Sequence, residues 1–152
     1  MIITTASPED AQAILDLQRL AFAYEAELYG DDRLPPLTQT LDDLRSEFGH
    51  RLFLKAVNGG LVVGSVRAHT EGDTCHVGRL IVHPDRQGRG LGTNLMHEVE
   101  SRFPEAHCFE LFTGKRNVRN LRLYERLGYI AIREQVVTPR LTLVDLEKRV
   151  ER

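Results

Sequence analysis

The stretch from His83 to Met96 reads HPDRQGRGLGTNLM and contains three glycines and two arginines. Before it, residues 77–82 (VGRLIV) are mostly apolar and predict a buried strand. After it, apolar residues recur at the spacing of one helix face: Leu91, Leu95, Val99 and Phe103. The sequence therefore predicts a strand, a glycine-rich loop and a helix in succession.

The glycine-rich loop has the features of an anion site. Gly88, Gly90 and Gly92 lack Cβ atoms, so the backbone can approach a ligand closely. The first turn of a helix has N–H groups without intrahelical partners, and the helix dipole favours an anion there. Arg86 and Arg89 add positive charge. We therefore expect the loop to hold a phosphate or pyrophosphate group.

Two well-known phosphate-binding motifs do not fit this loop. The ATP-binding P-loop has a lysine after its last glycine, where this chain has Thr93. The dinucleotide fingerprint G-x-G-x-x-G would need a glycine at the same position. A tight strand-to-helix turn, with glycines needed only for packing, is the alternative to a ligand site.

Composition narrows the class of protein. At 152 residues the chain is most simply one domain, 1–152, which is large enough for its own core. A net charge of -2 gives no reason to expect a nucleic acid or an anionic membrane as partner. No apolar run is long enough to span a bilayer, and the N-terminus lacks the basic region and apolar run of a secretory signal. Cys75 and Cys108 lack metal or disulfide spacing, so we expect reduced thiols in a cytoplasmic protein.

The N-terminal half predicts a strand, two helices and two strands. Met1–Thr5 is β-branched, and Ser7–Asp10 has the capping residues of a helix start. That helix should end near Gly30, and a second should open at Thr40. One face of the first helix should be apolar: Ile14, Leu17, Ala21, Tyr24 and Leu28. Residues 52–57 and 61–70 then read as strands around an Asn-Gly-Gly turn, with a bulge at Gly64.

The segment between the two helices is a candidate rim for an acceptor pocket. Residues 31–37 contain two prolines and predict a loop, and loops often carry binding residues. Candidate substrate-binding residues near it are Glu25, Tyr29 and Leu34. A buried carboxylate at the helix end could bind or deprotonate an amine. The alternative is a solvated helix end.

The C-terminal half predicts strands at 74–83, 108–113, 129–137 and 141–146, with Pro104 closing the helix after the loop. Residues 117–127 predict a short helix that Gly128 stops, with Val118 and Leu121 facing inward. Antiparallel strands that lead into a strand–loop–helix unit indicate an α+β, mixed-sheet fold.

The histidines give no metal signature. His69 and His76 flank one turn and could lie side by side, but no HExxH or zinc-type Cys/His spacing is present. We therefore expect no metal. Either imidazole could act as a general base near neutral pH, and an exposed histidine on a sheet is the alternative.

Two segments together resemble the GCN5-related N-acetyltransferases (GNAT). Residues 87–92 (QGRGLG) resemble the family's Q/R-x-x-G-x-G/A motif, and residues 117–129 (NVRNLRLYERLGY) resemble its N-x-x-A-x-x-L-Y-E-K-L-G-F segment. The motifs occur in the family's order and span about half of the chain. Asn120 departs from the pattern, because the family often has alanine there.

The resemblance implies a fold and a site. The fold would be a central, mixed and mostly antiparallel sheet of about six to seven strands and about four helices, splayed at an acyl-CoA slot. Tyr124 would protonate the leaving thiolate, which is reasonable because a phenol pKa of about 10 exceeds that of a thiol. The residues that would bind coenzyme A (CoA) are Leu80, Ile81, Val82, Gln87, Gly88, Arg89, Gly90, Leu91, Gly92, Thr93, Asn117 and Asn120.

The activity implied is direct acetyl transfer from acetyl-CoA to a primary amine. The general base is left open among Glu25, Glu27, Glu71, Asp73 and a chain of waters. Two alternatives also stay open: a CoA-binding sensor or interaction module without turnover, and an enzyme that uses a longer acyl-CoA. The sequence leaves open the acceptor and the oligomeric state, with a homodimer as one option.

Overall fold

The computed structural model describes residues 1–151. Within this range seven strands form one sheet in the order β1-β2-β3-β4-β5-β7-β6. The pair β4 and β5 is parallel, and the other neighbours are antiparallel. The strands are β1 Ile2–Thr5, β2 Leu52–Asn58, β3 Leu61–Glu71, β4 Thr74–Val82, β5 Cys108–Gly114, β6 Ile130–Val136 and β7 Thr142–Arg149.

Five α-helices accompany the sheet within the described residues: α1 Ala11–Tyr29, α2 Pro35–Thr38, α3 Leu41–Glu47, α4 Leu91–Ser101 and α5 Val118–Arg126. Short 3₁₀ turns occur at Pro8–Asp10 and Pro84–Arg86. Gly30 ends α1 in the left-handed conformation, and the Thr40 hydroxyl caps α3 by accepting the Asp43 N–H at 3.2 Å. In residues 1–151 no helix is long and apolar enough to cross a membrane.

The helices cover both faces of the sheet. Val66 and Ala68 of β3 belong to the core under α4, with Leu95 and Val99. Arg67, between them in β3, points the other way and contacts α1 and α3. A smaller core there packs α1 and α3 on β2 through Ala11, Ile14, Leu15, Leu44 and Phe53. This alternation along β3 is the two-residue period expected of a strand covered on both faces.

The sheet opens between β4 and β5. These strands pair only at Thr74–Cys108, Cys75–Phe109 and His76–Glu110, although both continue further. The edge of β4 that faces β5 is therefore free of sheet partners over residues 77–82. Free backbone N–H and C=O groups at such an edge can pair with an extended ligand.

A β-bulge lies in the same part of β4. Two steps along β3, from Ser65 to Arg67, correspond to three steps along β4, from Ile81 back to Gly78. Arg79 takes a φ of +51°, a left-handed value that is uncommon for a residue with a side chain. Bulges re-aim side chains, and backbone outliers of this kind cluster at functional sites.

The predicted fold class is confirmed by the mixed, mostly antiparallel seven-stranded sheet. Three local predictions are wrong. Residues 31–37 are not wholly a loop, because Pro35 begins the short helix α2, where its fixed φ suits the first helical position. Tyr24 and Val118 do not face a core, since they are 61% and 50% exposed.

Candidate active site

The glycine-rich loop leads into α4 with two left-handed glycines. Gly88 and Gly90 have φ values of +76° and +80°, and Gly90 is the N-cap of α4. Apart from the glycine and its two chain neighbours, no protein atom lies within 4 Å of where a Cβ would stand at either position, so the conformation, not crowding, requires glycine. The Gln87 side chain donates to the Val82 carbonyl at 3.4 Å, which ties the loop to the end of β4.

Gly92 serves a different purpose. A Cβ there would lie 3.3 Å from Leu123 of α5, so this glycine lets the first turn of α4 approach α5 closely. The loop therefore combines an open backbone concavity at Gly88 and Gly90 with a tight packing contact at Gly92. The packing interpretation of the sequence therefore applies to Gly92, and the ligand interpretation of Gly88 and Gly90 stays a prediction.

A cavity of about 560 Å³ joins this loop to the opening in the sheet. Its size lies within the range of small-molecule sites. Eleven of the twelve residues predicted to bind CoA line it, the exception being Arg89, and Arg86 contributes the basic side chain in its place. The cavity also includes Tyr24 and Glu25 of α1 and Arg119 and Arg126 of α5.

Asn117 connects α1 to α5 beside the cavity. Its side-chain oxygen accepts the Asn120 N–H at 3.1 Å and so caps α5, while its nitrogen donates to Glu25 at 2.6 Å. Burial raises the pKa of Glu25, and the hydrogen bond from Asn117 and the charge of Arg79 oppose that rise. The predicted residue Asn120 lines the cavity and donates to the Thr113 hydroxyl at 3.4 Å.

Tyr124 is buried beside this site but does not line the cavity surface. It is 4% exposed and packs edge-on against Tyr129, with 5.9 Å between the ring centroids. Its hydroxyl forms no hydrogen bond with any residue from 1 to 151. Burial, and secondarily the charge of Glu25, raises the pKa of Tyr124, so the phenol keeps its proton at neutral pH.

Two of the predicted substrate residues occupy packing positions. Tyr29 is 2% exposed, and its hydroxyl accepts the Arg116 N–H at 3.0 Å. Leu34 is 5% exposed. Neither lines the cavity at the glycine loop, whereas Glu25 does.

A second cavity of about 460 Å³ lies across β3, β4, β5, β6 and β7, on the face that α3 also covers. Its lining includes Arg67 and Arg79, and also the stacked pair His69 and His76, whose ring centroids are 5.1 Å apart. His69 Nδ1 is 2.8 Å from an Arg51 nitrogen that can only donate, so His69 accepts at Nδ1. The side-by-side placement predicted for the two histidines is confirmed.

The second cavity is not among the features predicted from the sequence. Arg79 stands in an apolar run that predicts an ordinary strand, and its bulge depends on the register between β3 and β4. The signal that could have been noticed is a lone arginine between apolar residues in a strand expected to be buried, because an arginine is rarely buried without a partner.

The group of donor atoms in residues 1–151 that could share a metal ion is Cys108, Glu110 and Glu147. Burial raises the pKa of the Cys108 thiol, which disfavours the thiolate that a metal needs. Glu147 already pairs with Arg149 at 3.1 Å. The chemistry of this group therefore fits a metal poorly.

The family of the protein follows from its sequence and agrees with this geometry. The model of the Acetyltransferase (GNAT) family matches residues 12–129. The fold and the match define the class as GNAT-type acyltransferases, and the chain belongs to this family. UPF0157 protein YqkA of Bacillus subtilis (strain 168) is 28% identical over 119 residues, which are 78% of this chain and 34% of that protein. The chain thus spans about a third of that relative's length.

Solved structures share the fold at low sequence identity. PaiA N-acetyltransferase from Thermoplasma acidophilum, in complex with coenzyme A, has a TM-score of 0.81 and 17% identity, covering 99% of this chain and 100% of that one. The ribosomal-protein-S18-alanine N-acetyltransferase from Escherichia coli gives 0.83 and 17%, covering 99% and 94%. YncA from Salmonella typhimurium, with acetyl-CoA, gives 0.75 and 20%, covering 100% and 95%.

Proposed function

We propose that the protein is an acetyl-CoA-dependent N-acetyltransferase that moves the acetyl group directly to a primary amine. The main support for this proposal is the opening in the sheet. The strands β4 and β5 separate after His76, and the opening leads to the two left-handed glycines at the start of α4. A slot with free backbone edges that ends in an anion cradle matches a long ligand with a pyrophosphate, such as CoA.

The chain's residues would hold CoA in two parts. The backbone N–H groups of residues 88–93 and the start of α4 would bind the pyrophosphate, aided by Arg86. The free edge of β4 at Leu80 and Val82 would pair with the pantetheine arm. When bound, acetyl-CoA supplies an acetyl thioester at the inner end of the slot.

Tyr124 is the proposed acid. The new bond joins the amine nitrogen to the acetyl carbon, the carbon–sulfur bond breaks, and the sulfur needs a proton. Tyr124 has a protonated hydroxyl with no partner in residues 1–151, so it can donate that proton without breaking an internal bond. Solvent then returns a proton to the phenol.

Glu25 is the base that we propose for the amine, directly or through a water. Among the carboxylates considered from the sequence, Glu25 is half-buried and lines the CoA cavity, whereas Glu27, Glu71 and Asp73 are exposed and do not line it. A pKa raised by burial makes a carboxylate a better proton acceptor. Asn117 would hold the Glu25 side chain in position.

The cytoplasmic location of the protein stays a prediction.

The test is Tyr124→Phe, which keeps the ring and removes the proton. We expect kcat to fall by about a hundredfold to ten-thousandfold, with CoA affinity little changed. In the parent enzyme, activity should decline as pH rises through the pKa of Tyr124. Because burial raises that pKa, the decline should occur at higher pH than it would for an exposed tyrosine. Tyr124→Phe should lose this decline.

The matched control is Tyr129→Phe. Tyr129 is also buried and contacts Tyr124, but its hydroxyl donates to Glu100 at 2.9 Å, and it lines neither cavity. For Tyr129→Phe we expect lower stability and an unchanged kcat. If Tyr124→Phe keeps the parent kcat, or loses CoA binding and stability together, the acid role is wrong.

A further inference from the structure

Arg79 is a charged side chain without a direct contact to a carboxylate of residues 1–151. It is half-buried and forms no ion pair or hydrogen bond with any residue from 1 to 151. Its Nε is fully buried and unpaired. Burying a charge without a partner is costly, so a guanidinium kept in this state indicates that its partner comes from outside the chain.

The other arginines of the second cavity make direct ion pairs. Glu47 contacts both Arg67 and Arg51, at 2.9 Å and 3.1 Å. Arg133 pairs with Asp145 at 2.7 Å. Among residues 1–151, Arg79 is therefore the arginine of this cavity without a direct ion pair, and Glu47 and Glu25 act on its charge only at longer range.

The bulge places this free charge where the two cavities meet. Arg79 lines the second cavity, and the next residue, Leu80, lines the CoA cavity. An acceptor in the second cavity that contacts Arg79 would therefore lie next to the CoA cavity, towards which its amine could extend. The bulge lies at this boundary, because residues 77–79 line the second cavity and residues 80–82 line the CoA cavity.

We propose that the second cavity binds the acceptor amine and that Arg79 binds a carboxylate carried by that acceptor. The proposal rests on the proposed acetyltransferase function and names its substrate class: a small amine that bears a carboxylate, of amino-acid size. A carboxylate matches the planar, two-pronged guanidinium, and it adds only one negative charge to a lining that already includes Glu47, Glu71, Glu110 and Asp145. A phosphate would add about two negative charges to the same lining.

The size of the second cavity suits such a molecule. Its volume of about 460 Å³ is at the small end of the range for ligand pockets.

The test uses matched substrate pairs. Glycine, β-alanine, 4-aminobutyrate and 5-aminopentanoate would each be compared with the corresponding carboxamide, and with aminoethyl phosphate as a phosphate probe. The rate of CoA thiol release gives kcat and KM for each. We expect at least one carboxylate to exceed its amide in kcat/KM by about 10- to 100-fold, mainly through KM, as for a hydrogen-bonded charge pair.

Three variants of the protein test whether Arg79 causes the preference for a carboxylate over its amide. Arg79→Gln should reduce the carboxylate-to-amide ratio towards one, and Arg79→Lys should restore part of it. Arg102→Gln removes an arginine that pairs with Glu98 on α4, outside both cavities, and should keep the parent ratio.

The outcomes separate this inference from the proposed function. A ratio near one for every pair, a ratio unchanged in Arg79→Gln, or an Arg79-dependent preference for aminoethyl phosphate would overturn the inference while leaving acetyl transfer in place. Absence of thiol release with every amine would count against the proposed function. In that case, ligand-detected NMR would measure binding of the carboxylates to the CoA-saturated parent protein and to Arg79→Gln. The inference is wrong if the carboxylates do not bind, or if they bind equally to both proteins.

Discussion

Replacing Gly90 with valine should weaken CoA binding by about 5- to 150-fold. Gly90 has a φ of +80°, which a β-branched residue adopts only at a cost of about 1–3 kcal/mol. The variant can relieve this strain in the free state by letting the loop relax, but CoA binding must then restore the strained loop. The same free energy, converted at 1.4 kcal/mol per tenfold, gives the expected loss of affinity.

The chain offers a close control for this experiment. Gly60, in the turn between β2 and β3, also has a φ of +80° and, like Gly90, has no atom within 4 Å of a Cβ position. Gly60→Val should therefore introduce a similar backbone strain without changing CoA affinity. Isothermal titration calorimetry with CoA measures the affinity, and thermal unfolding measures the stability. Unchanged affinity in a folded Gly90→Val variant would refute the phosphate-cradle argument.

Two further predictions concern α1. Tyr29→Phe removes the acceptor of the Arg116 N–H and should lower the free energy of unfolding, measured by urea titration, by about 0.5–1.5 kcal/mol. An unchanged urea midpoint together with a raised KM for the amine would instead support the predicted substrate role of Tyr29. Glu25→Gln should lower kcat and stabilise the protein at neutral pH. Because burial raises the pKa of Glu25 in the folded state, the folded protein binds this proton more tightly, and its stability falls as pH rises from about 4.5 through the folded pKa. The Tm advantage of Glu25→Gln should grow over that pH range, and an advantage independent of pH would show that ionisation of Glu25 is not the cause.

Local signals in the sequence were sufficient for the glycine loop and most element boundaries. Gly30 and Gly128 end helices in left-handed conformations, as their positions after apolar helical segments predicted. Thr40 caps α3 as expected. These features depend on a few neighbouring residues, so they can be inferred without knowing the tertiary structure.

The remaining features depend on contacts between distant segments. Val118 fits an inward helical spacing, yet α5 buries Tyr124 instead, because the rotation of a short helix is set by what it packs on. The link from Glu25 to Asn117 joins residues that are 92 positions apart. The bulge at Arg79 and the second cavity result from strand register, which the apolar pattern of β4 does not encode.

Transfer of a labelled acetyl group tests the central claim most directly. The purified protein would be incubated with acetyl-CoA labelled in the acetyl group and a mixture of primary amines, and free CoA thiol and labelled amide would be measured together. If the protein transfers the acetyl group directly, free CoA thiol and labelled amide should appear in equal amounts, and Tyr124→Phe should slow the formation of both. Tight CoA binding without labelled amide above the uncatalysed rate would contradict it and would favour a CoA-binding module without turnover.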